Sequence, residues 1–176
     1  MISFVLGGSG SGKSEFAEGI TMKLPSKDKF YIATMQPFDE EAYAKIERHR
    51  QMRAHKGFET IECQTNLASV RVPKGSTVLL ECISNLVANE MYSEAGAGEA
   101  TVEAILKGIN QLIPQCGNLI IVSNNVFTDG DNYDQDVIRY IDYIARVNNA
   151  IAAMSDQVVE VVCGIPIYQK GSSELQ

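Results

Sequence analysis

The residues with the clearest chemical signature lie in a glycine-rich stretch near the start of the chain. Gly7-Gly8-Ser9-Gly10-Ser11-Gly12-Lys13-Ser14 fits the spacing G-x-x-x-x-G-K-[ST] between an apolar run and a predicted helix. Glycines let backbone N–H groups curl around phosphate oxygens, Lys13 would reach the β- and γ-phosphates, and the Ser14 hydroxyl would bind Mg²⁺. The stretch predicts a P-loop for a nucleoside triphosphate. Kinases, nucleotidyltransferases, GTPases and motor ATPases all share this loop, so it names no acceptor.

A second candidate is the carboxylate that follows a later apolar run. Val78-Leu79-Leu80 leads directly into Glu81, and in P-loop enzymes such a strand supplies an acidic group on the metal side of the site. Glu81 would then join Ser14 in binding Mg²⁺. The pattern is loose, and an ordinary acidic residue at the end of a strand fits it as well.

The third candidate is a basic segment within a predicted helix, Glu40–Arg53. On a helix His49 and Arg53 share one stripe, with Arg50 nearby, so an imidazole and two guanidinium groups can face one site. Neighbouring cations disfavour the imidazolium, which keeps His49 neutral and nucleophilic, while the arginines attract phosphates. A solvated histidine on a charged helix face is the alternative, and His55 fits only that one.

Composition and charge narrow the class of protein. The 176 residues, 45% of them hydrophobic, fit a single domain over residues 1–176. A net charge of −7 argues against nucleic-acid binding, because phosphate backbones require an excess of Lys and Arg. No apolar run approaches the ~20 residues of a membrane helix, and no targeting segment is recognisable, so we expect a cytoplasmic protein. The four cysteines include no C-x-x-C pair, as is typical of reduced thiols.

Short β-branched runs alternate with stretches of helical period, which predicts an α/β fold: a mainly parallel sheet flanked by helices on both faces. The predicted strands are Ile2–Leu6, Phe30–Thr34, Thr60–Cys63, Thr77–Cys82, Leu119–Ser123 and Val158–Cys163. The predicted helices are Lys13–Lys23, Glu40–Arg53, Ser84–Tyr92, Glu99–Ile113 and Asp134–Met154. Two segments rich in turn formers are predicted loops, Glu94–Gly98 and Phe127–Asn132. The first strand and the first helix therefore hold the P-loop between them.

Together these segments resemble one family with a P-loop NTPase-like fold, the bifunctional adenosylcobinamide kinase/adenosylcobinamide-phosphate guanylyltransferases of cobalamin biosynthesis. The resemblance extends along nearly the whole chain, and the order and spacing of its pieces make it specific. Besides the P-loop, the pieces are Tyr31-Ile32-Ala33-Thr34, Lys45-Ile46-Glu47-Arg48-His49-Arg50 with Arg53, Leu80-Glu81-Cys82-Ile83 with Asn89, and Ala145-Arg146-Val147-Asn148.

The resemblance implies two reactions on a corrinoid. ATP or GTP phosphorylates the aminopropanol hydroxyl of adenosylcobinamide. A histidine, His49 by motif alignment, then attacks the α-phosphorus of GTP, and the GMP passes to the phosphorylated corrinoid to give adenosylcobinamide-GDP. The resemblance further implies Mg²⁺ and a homotrimer. The nucleotide contacts that it assigns, beyond the P-loop, are Ala33, Thr34, Arg50, Arg53, Glu62 and Glu81.

The segment after the fifth predicted strand departs from the family's pattern. The family has Ser or Thr followed by Asn-Glu-Val-Gly, whereas this chain has Ser123-Asn124-Asn125-Val126-Phe127. A carboxylate is thus replaced by the amide of Asn125, and a glycine by Phe127, while the guanylyl-transfer residues are retained. Two other functions stay open at this point: a P-loop kinase of single activity for another small alcohol or nucleoside, and a GTP-binding regulatory protein without corrinoid turnover.

Overall fold

A computed structural model describes residues 1–26, 28–36, 43, 47, 51, 56–125 and 133–172. In this part of the chain seven strands form one sheet: β1 Ile2–Gly7, β2 Lys29–Ala33, β3 Glu59–Glu62, β4 Ser76–Leu80, β5 Cys116–Asn124, β6 Gln157–Val162 and β7 Ile165–Lys170. Their order is β3-β2-β4-β5-β1-β6-β7, and every neighbouring pair is parallel except β6 with β7. The P-loop strand β1 therefore has β5 on one side and β6 on the other.

Helices cover both faces of the sheet. They are α1 Lys13–Lys23, α2 Ile83–Tyr92, α3 Thr101–Leu112 and α4 Gln135–Met154. On one face α1 buries Ala17 against Val5, Ile120 and Val159. The other face is larger and packs α2, α3 and α4 onto alternate residues of the same strands. Consecutive apolar residues in β1, β4 and β5 are explained by this two-sided cover.

The predicted fold class is confirmed, and the boundaries of most elements differ by one to three residues. The strand predicted to end at Cys82 ends at Leu80, and the helix after it starts at Ile83. Strand β7 was not predicted at all. The loop Phe127–Asn132 lies outside the described residues, as does most of the helix Glu40–Arg53, of which Tyr43, Glu47 and Gln51 are described and helical.

Candidate nucleotide-binding and transfer site

The glycine-rich stretch forms a tight loop between the carboxyl end of β1 and the first turn of α1. Gly10 and Gly12 have φ of +70° and +89°, a left-handed backbone that favours glycine. The Ser11 amide and the Lys13 ammonium group both donate to Gly8 O, at 3.2 and 3.0 Å. A Cβ built on Gly8 or Gly10 would meet no atom within 4 Å in the described part of the chain. The loop thus has the curled backbone, open side and nearby cation that a phosphate chain requires.

The turn between β6 and β7 packs directly against this loop. Cys163 and Gly164 are the two turn residues, with φ of +50° and +79°, as in a two-residue hairpin turn. The Gly164 amide donates to Ser11 O at 2.8 Å. A Cβ on Gly12 would lie 3.3 Å from Gly164 Cα. The hairpin therefore fixes the P-loop by direct backbone contact.

A second group of predicted residues meets at the carboxyl ends of β2, β3 and β4. Glu81 Oε2 accepts hydrogen bonds from the Thr34 and Met35 amides, at 2.9 and 3.3 Å. Thr34 is buried, and its hydroxyl donates to Cys82 O. Ala33 pairs with Glu62 across β2 and β3. Glu81, Thr34, Ala33 and Glu62 thus form one cluster, in which the Glu81 carboxylate joins the ends of two strands.

The buried amide of Asn89 reinforces the same corner from α2. Its Nδ2 donates to Thr34 O at 2.8 Å and to Gln64 O at 2.9 Å. Two loops that leave neighbouring strands are therefore fixed by one side chain. Because the side chain is only 4% exposed, these bonds are shielded from competing water.

The carboxyl end of β5 lies between the P-loop and the Glu81 cluster. Asn124 is level with Gly7 in the pairing of β1 with β5, and its Nδ2 donates to Ser84 Oγ at 2.6 Å. The Tyr140 hydroxyl donates to Ser84 O, and burial raises the pKa of Tyr140 to about 12. Neighbouring strands lie about 4.8 Å apart, so Glu81 starts roughly 10 Å from the P-loop strand. The space between them is polar and lies at the edge of the sheet where parallel α/β proteins bind ligands.

Comparison with known proteins decides the family. A family model described as cobinamide kinase / cobinamide phosphate guanyltransferase (CobU) matches residues 3–168. The chain belongs to this family. It is 32% identical to the bifunctional adenosylcobalamin biosynthesis protein CobU of Salmonella typhimurium, covering 97% of this chain and all of the relative. The Escherichia coli CobU is also 32% identical, and CobP of Pseudomonas aeruginosa is 30% identical over 97% of this chain and 98% of its own length.

Solved structures support the P-loop fold of this CobU family member. The flagellar accessory protein FlaH of Methanocaldococcus jannaschii superimposes with a TM-score of 0.50 at 10% identity, covering 97% of this chain and 78% of FlaH. An ATPase of a bacterial type III secretion system gives a TM-score of 0.53 at 11% identity, covering 99% of this chain and 60% of the ATPase. At such low identity the likeness concerns the fold alone.

The predicted site residues of the family member fall into three sets. The P-loop residues lie together in one loop, and Ala33, Thr34, Glu62 and Glu81 lie together at the ends of β2, β3 and β4, two to four strands away from β1. His49, Arg50 and Arg53 lie outside the described residues, as does His55. Just beyond them, the Lys56 ammonium pairs with the buried carboxylate of Glu18 on α1, which ties the end of that segment to the helix behind the P-loop.

Three features of the site were not predicted from the sequence. They are the hairpin turn below the P-loop, the Asn124–Ser84 bond, and a carboxylate on β6, Glu160, which Asn125 contacts at 3.4 Å. A signal for the turn was present, since Cys163-Gly164 separates two β-branched runs and X-Gly is a common two-residue hairpin loop. The described residues include no cluster of three His, Cys, Asp or Glu that could hold a metal ion, and no described helix is long and apolar enough to cross a membrane.

Proposed function

We propose that this chain carries out both reactions on adenosylcobinamide. A nucleoside triphosphate, ATP or GTP, phosphorylates the aminopropanol hydroxyl; GMP is then transferred from GTP through a guanylylated His49 to the corrinoid phosphate. The product is adenosylcobinamide-GDP. The observation that carries the proposal is the P-loop, with Lys13 folded against Gly8 O and an open glycine face, in a chain that belongs to the cobinamide kinase / cobinamide phosphate guanyltransferase family along most of its length.

The P-loop residues fit the phosphates and a divalent cation. Lys13 and the first amides of α1 place positive charge where the β- and γ-phosphates would lie. Ser14, in the first turn of α1, would supply a hydroxyl ligand to Mg²⁺, and Glu81, on the far side of β5, would supply an acidic group to the same ion. Mg²⁺ would neutralise the charge that develops on the phosphate oxygens.

Guanylyl transfer then takes place in two displacements. The neutral imidazole of His49 attacks the α-phosphorus of GTP, a P–N bond forms, the α–β P–O bond breaks, and pyrophosphate leaves. A phosphate oxygen of the corrinoid next attacks the same phosphorus and restores the histidine. Arg50 and Arg53 follow His49 closely in the sequence, and their guanidinium groups suit the charge of both transfers.

The assembly and location of the enzyme belong to the same proposal. We expect a homotrimer in the cytoplasm, acting on a soluble corrinoid. Light scattering on the purified protein should give about three times the 19.3 kDa chain mass; a mass of one chain at working concentration would contradict the trimer.

The test of the guanylyl step uses radioactive GTP. Wild-type protein incubated with α-³²P-GTP and Mg²⁺ should acquire a label that is labile in acid and stable in alkali, as a phosphoramidate is. The label should be absent from His49→Ala and present in His55→Ala, a matched control in the same segment. An unlabelled wild type would refute guanylyl transfer, and a label that survives His49→Ala would refute the choice of histidine.

The test of the kinase step uses adenosylcobinamide with γ-³²P-labelled ATP or GTP. Transfer of the label to the corrinoid supports bifunctionality and shows which nucleotide is used. A wild type that labels His49 but never phosphorylates the corrinoid would leave only a guanylyltransferase. Nucleotide binding with neither reaction would instead favour a regulatory GTP-binding protein.

A further inference from the structure

Glu160 is an unusual residue for the strand in which it lies. The strand β6 contains Val158-Val159-Glu160-Val161-Val162, and Glu160 is half-buried on the same face as Val158. A carboxylate within an apolar strand is costly unless its oxygens are well paired. Among the described residues its two donors are the amides of Asn125 and Gln169, at 3.4 and 3.5 Å, which is beyond the usual N–H···O range.

No cation compensates this charge among the residues with described positions. Their ion pairs are Lys56–Glu18, Arg139–Asp136, Arg146–Glu103 and Arg146–Asp142. Glu160 takes part in none of them. A contribution to stability therefore explains this carboxylate at the centre of a strand poorly.

Glu160 lies beside the P-loop. It pairs with Leu6 of β1, one residue before the first glycine of the loop. Its partner Asn125 donates its backbone amide to Gly7 O at 3.2 Å. Asn125 therefore contacts both the Glu160 carboxylate and the backbone of the P-loop, on which the phosphates would lie.

The surface next to Glu160 is apolar and uncovered in the described structure. Val162 follows two residues later on the same face, and Ile167 pairs with Glu160 from β7; each is 44% exposed. The apolar ring face of a large acceptor such as a corrin could therefore approach the carboxylate along this side of the hairpin.

We infer that Glu160 is the general base of the kinase step, a role that rests on the proposed function. As the acceptor hydroxyl attacks the γ-phosphorus, its proton passes to the Glu160 carboxylate, the new O–P bond forms, and the bond to the β-phosphate oxygen breaks to release the nucleoside diphosphate. Asn125 donates to Glu160 and orients it. The amide at position 125, where the family has a carboxylate, is then the partner of a carboxylate on β6.

The experiment compares E160Q with E103Q, a matched change of an exposed acid on α3. In E160Q, kcat for adenosylcobinamide phosphorylation should fall about 100-fold, a typical value for loss of a general base. His49 labelling by α-³²P-GTP should stay within twofold of wild type in both variants. A kinase kcat for E160Q within threefold of wild type would overturn the role of Glu160 while leaving the proposed function intact.

A second variant separates chemistry from structural damage. Asn125→Glu combined with E160Q moves the carboxylate from position 160 to position 125. We expect the kinase kcat of this double variant to be at least tenfold higher than that of E160Q alone. If this double variant still labels His49 but its kinase kcat is no higher than that of E160Q, neither position 125 nor position 160 holds the general base. A wild type without any kinase turnover would remove both the kinase half of the proposed function and the role of Glu160.

Discussion

Replacing Gly12 by alanine tests whether the P-loop depends on the hairpin below it. Gly12 has φ of +89°, and the added Cβ would lie 3.3 Å from Gly164 Cα and 3.6 Å from Gly164 N. Both neighbours are backbone atoms of a tight turn, so neither can move as the end of a flexible side chain does. The substitution therefore combines backbone strain with a steric contact that has to displace the loop or the turn.

The expected cost follows from these two terms. A non-glycine residue in the left-handed region costs about 1–2 kcal/mol, and a tight contact with fixed atoms adds about 1 kcal/mol. Together they give about 2–3 kcal/mol, which corresponds to a fall in Tm of about 4–12 °C for a domain of this size. Displacing the loop also separates the Ser11 carbonyl from its Gly164 donor, so GTP binding should weaken at the same time.

Two neighbouring glycines provide matched controls for the unfolding measurement. Gly8 has no positive φ, and a Cβ there would meet nothing within 4 Å of the described atoms, so Gly8→Ala should keep its Tm. Gly10→Ala carries the strain of φ +70° without a steric contact, and should lose about 1–2 kcal/mol. Equal Tm values for the Gly12 and Gly8 variants would refute this account of the loop.

Lys13→Ala should lower both turnovers by about 100-fold or more, because a donor to developing phosphate charge is lost; near-normal kcat with unchanged circular dichroism would refute the P-loop role. Asn89→Ala should reduce the free energy of unfolding by about 2–4 kcal/mol, since a buried carbonyl and a part-buried carbonyl lose their donor; an unchanged urea midpoint would contradict this. Iodoacetamide near neutral pH should modify exposed Cys163 before Cys116, whose pKa burial raises to about 12, because only the thiolate reacts. Peptide mapping that finds Cys116 labelled first would disagree.

Hydrophobic periodicity and motif spacing were sufficient to predict the central strands and the helices beside them. Strands covered on both faces, such as β1 and β4, have consecutive apolar residues that indicate a parallel sheet. The long helix α4 begins at a recognisable cap, because Asp134 Oδ1 accepts the Val137 amide at 2.9 Å. These signals are local, so a single sequence contains them.

Strand β7 was missed because an edge strand lacks those signals. Ile165-Pro166-Ile167-Tyr168-Gln169-Lys170 is exposed at alternate positions and contains a proline, which is tolerated at a sheet edge but argues against an interior strand. Its antiparallel return is specified by the two turn residues alone. The support that the turn gives to the P-loop is a contact between residues about 150 positions apart in the chain, as from Ser11 to Gly164, which no local pattern predicts.

The pairing of Asn125 with Glu160 explains two irregularities of the sequence together. Taken separately, an amide in place of the family's carboxylate suggests a lost function, and a glutamate among valines suggests a defect in a strand. The structure places the two side chains 3.4 Å apart. Two carboxylates at that distance would repel by about 5 kcal/mol at an effective dielectric constant near 20, before solvent screening, so a carboxylate on β6 favours a neutral donor at position 125. The departure from the family's pattern is therefore consistent with a carboxylate retained beside the P-loop on a different strand.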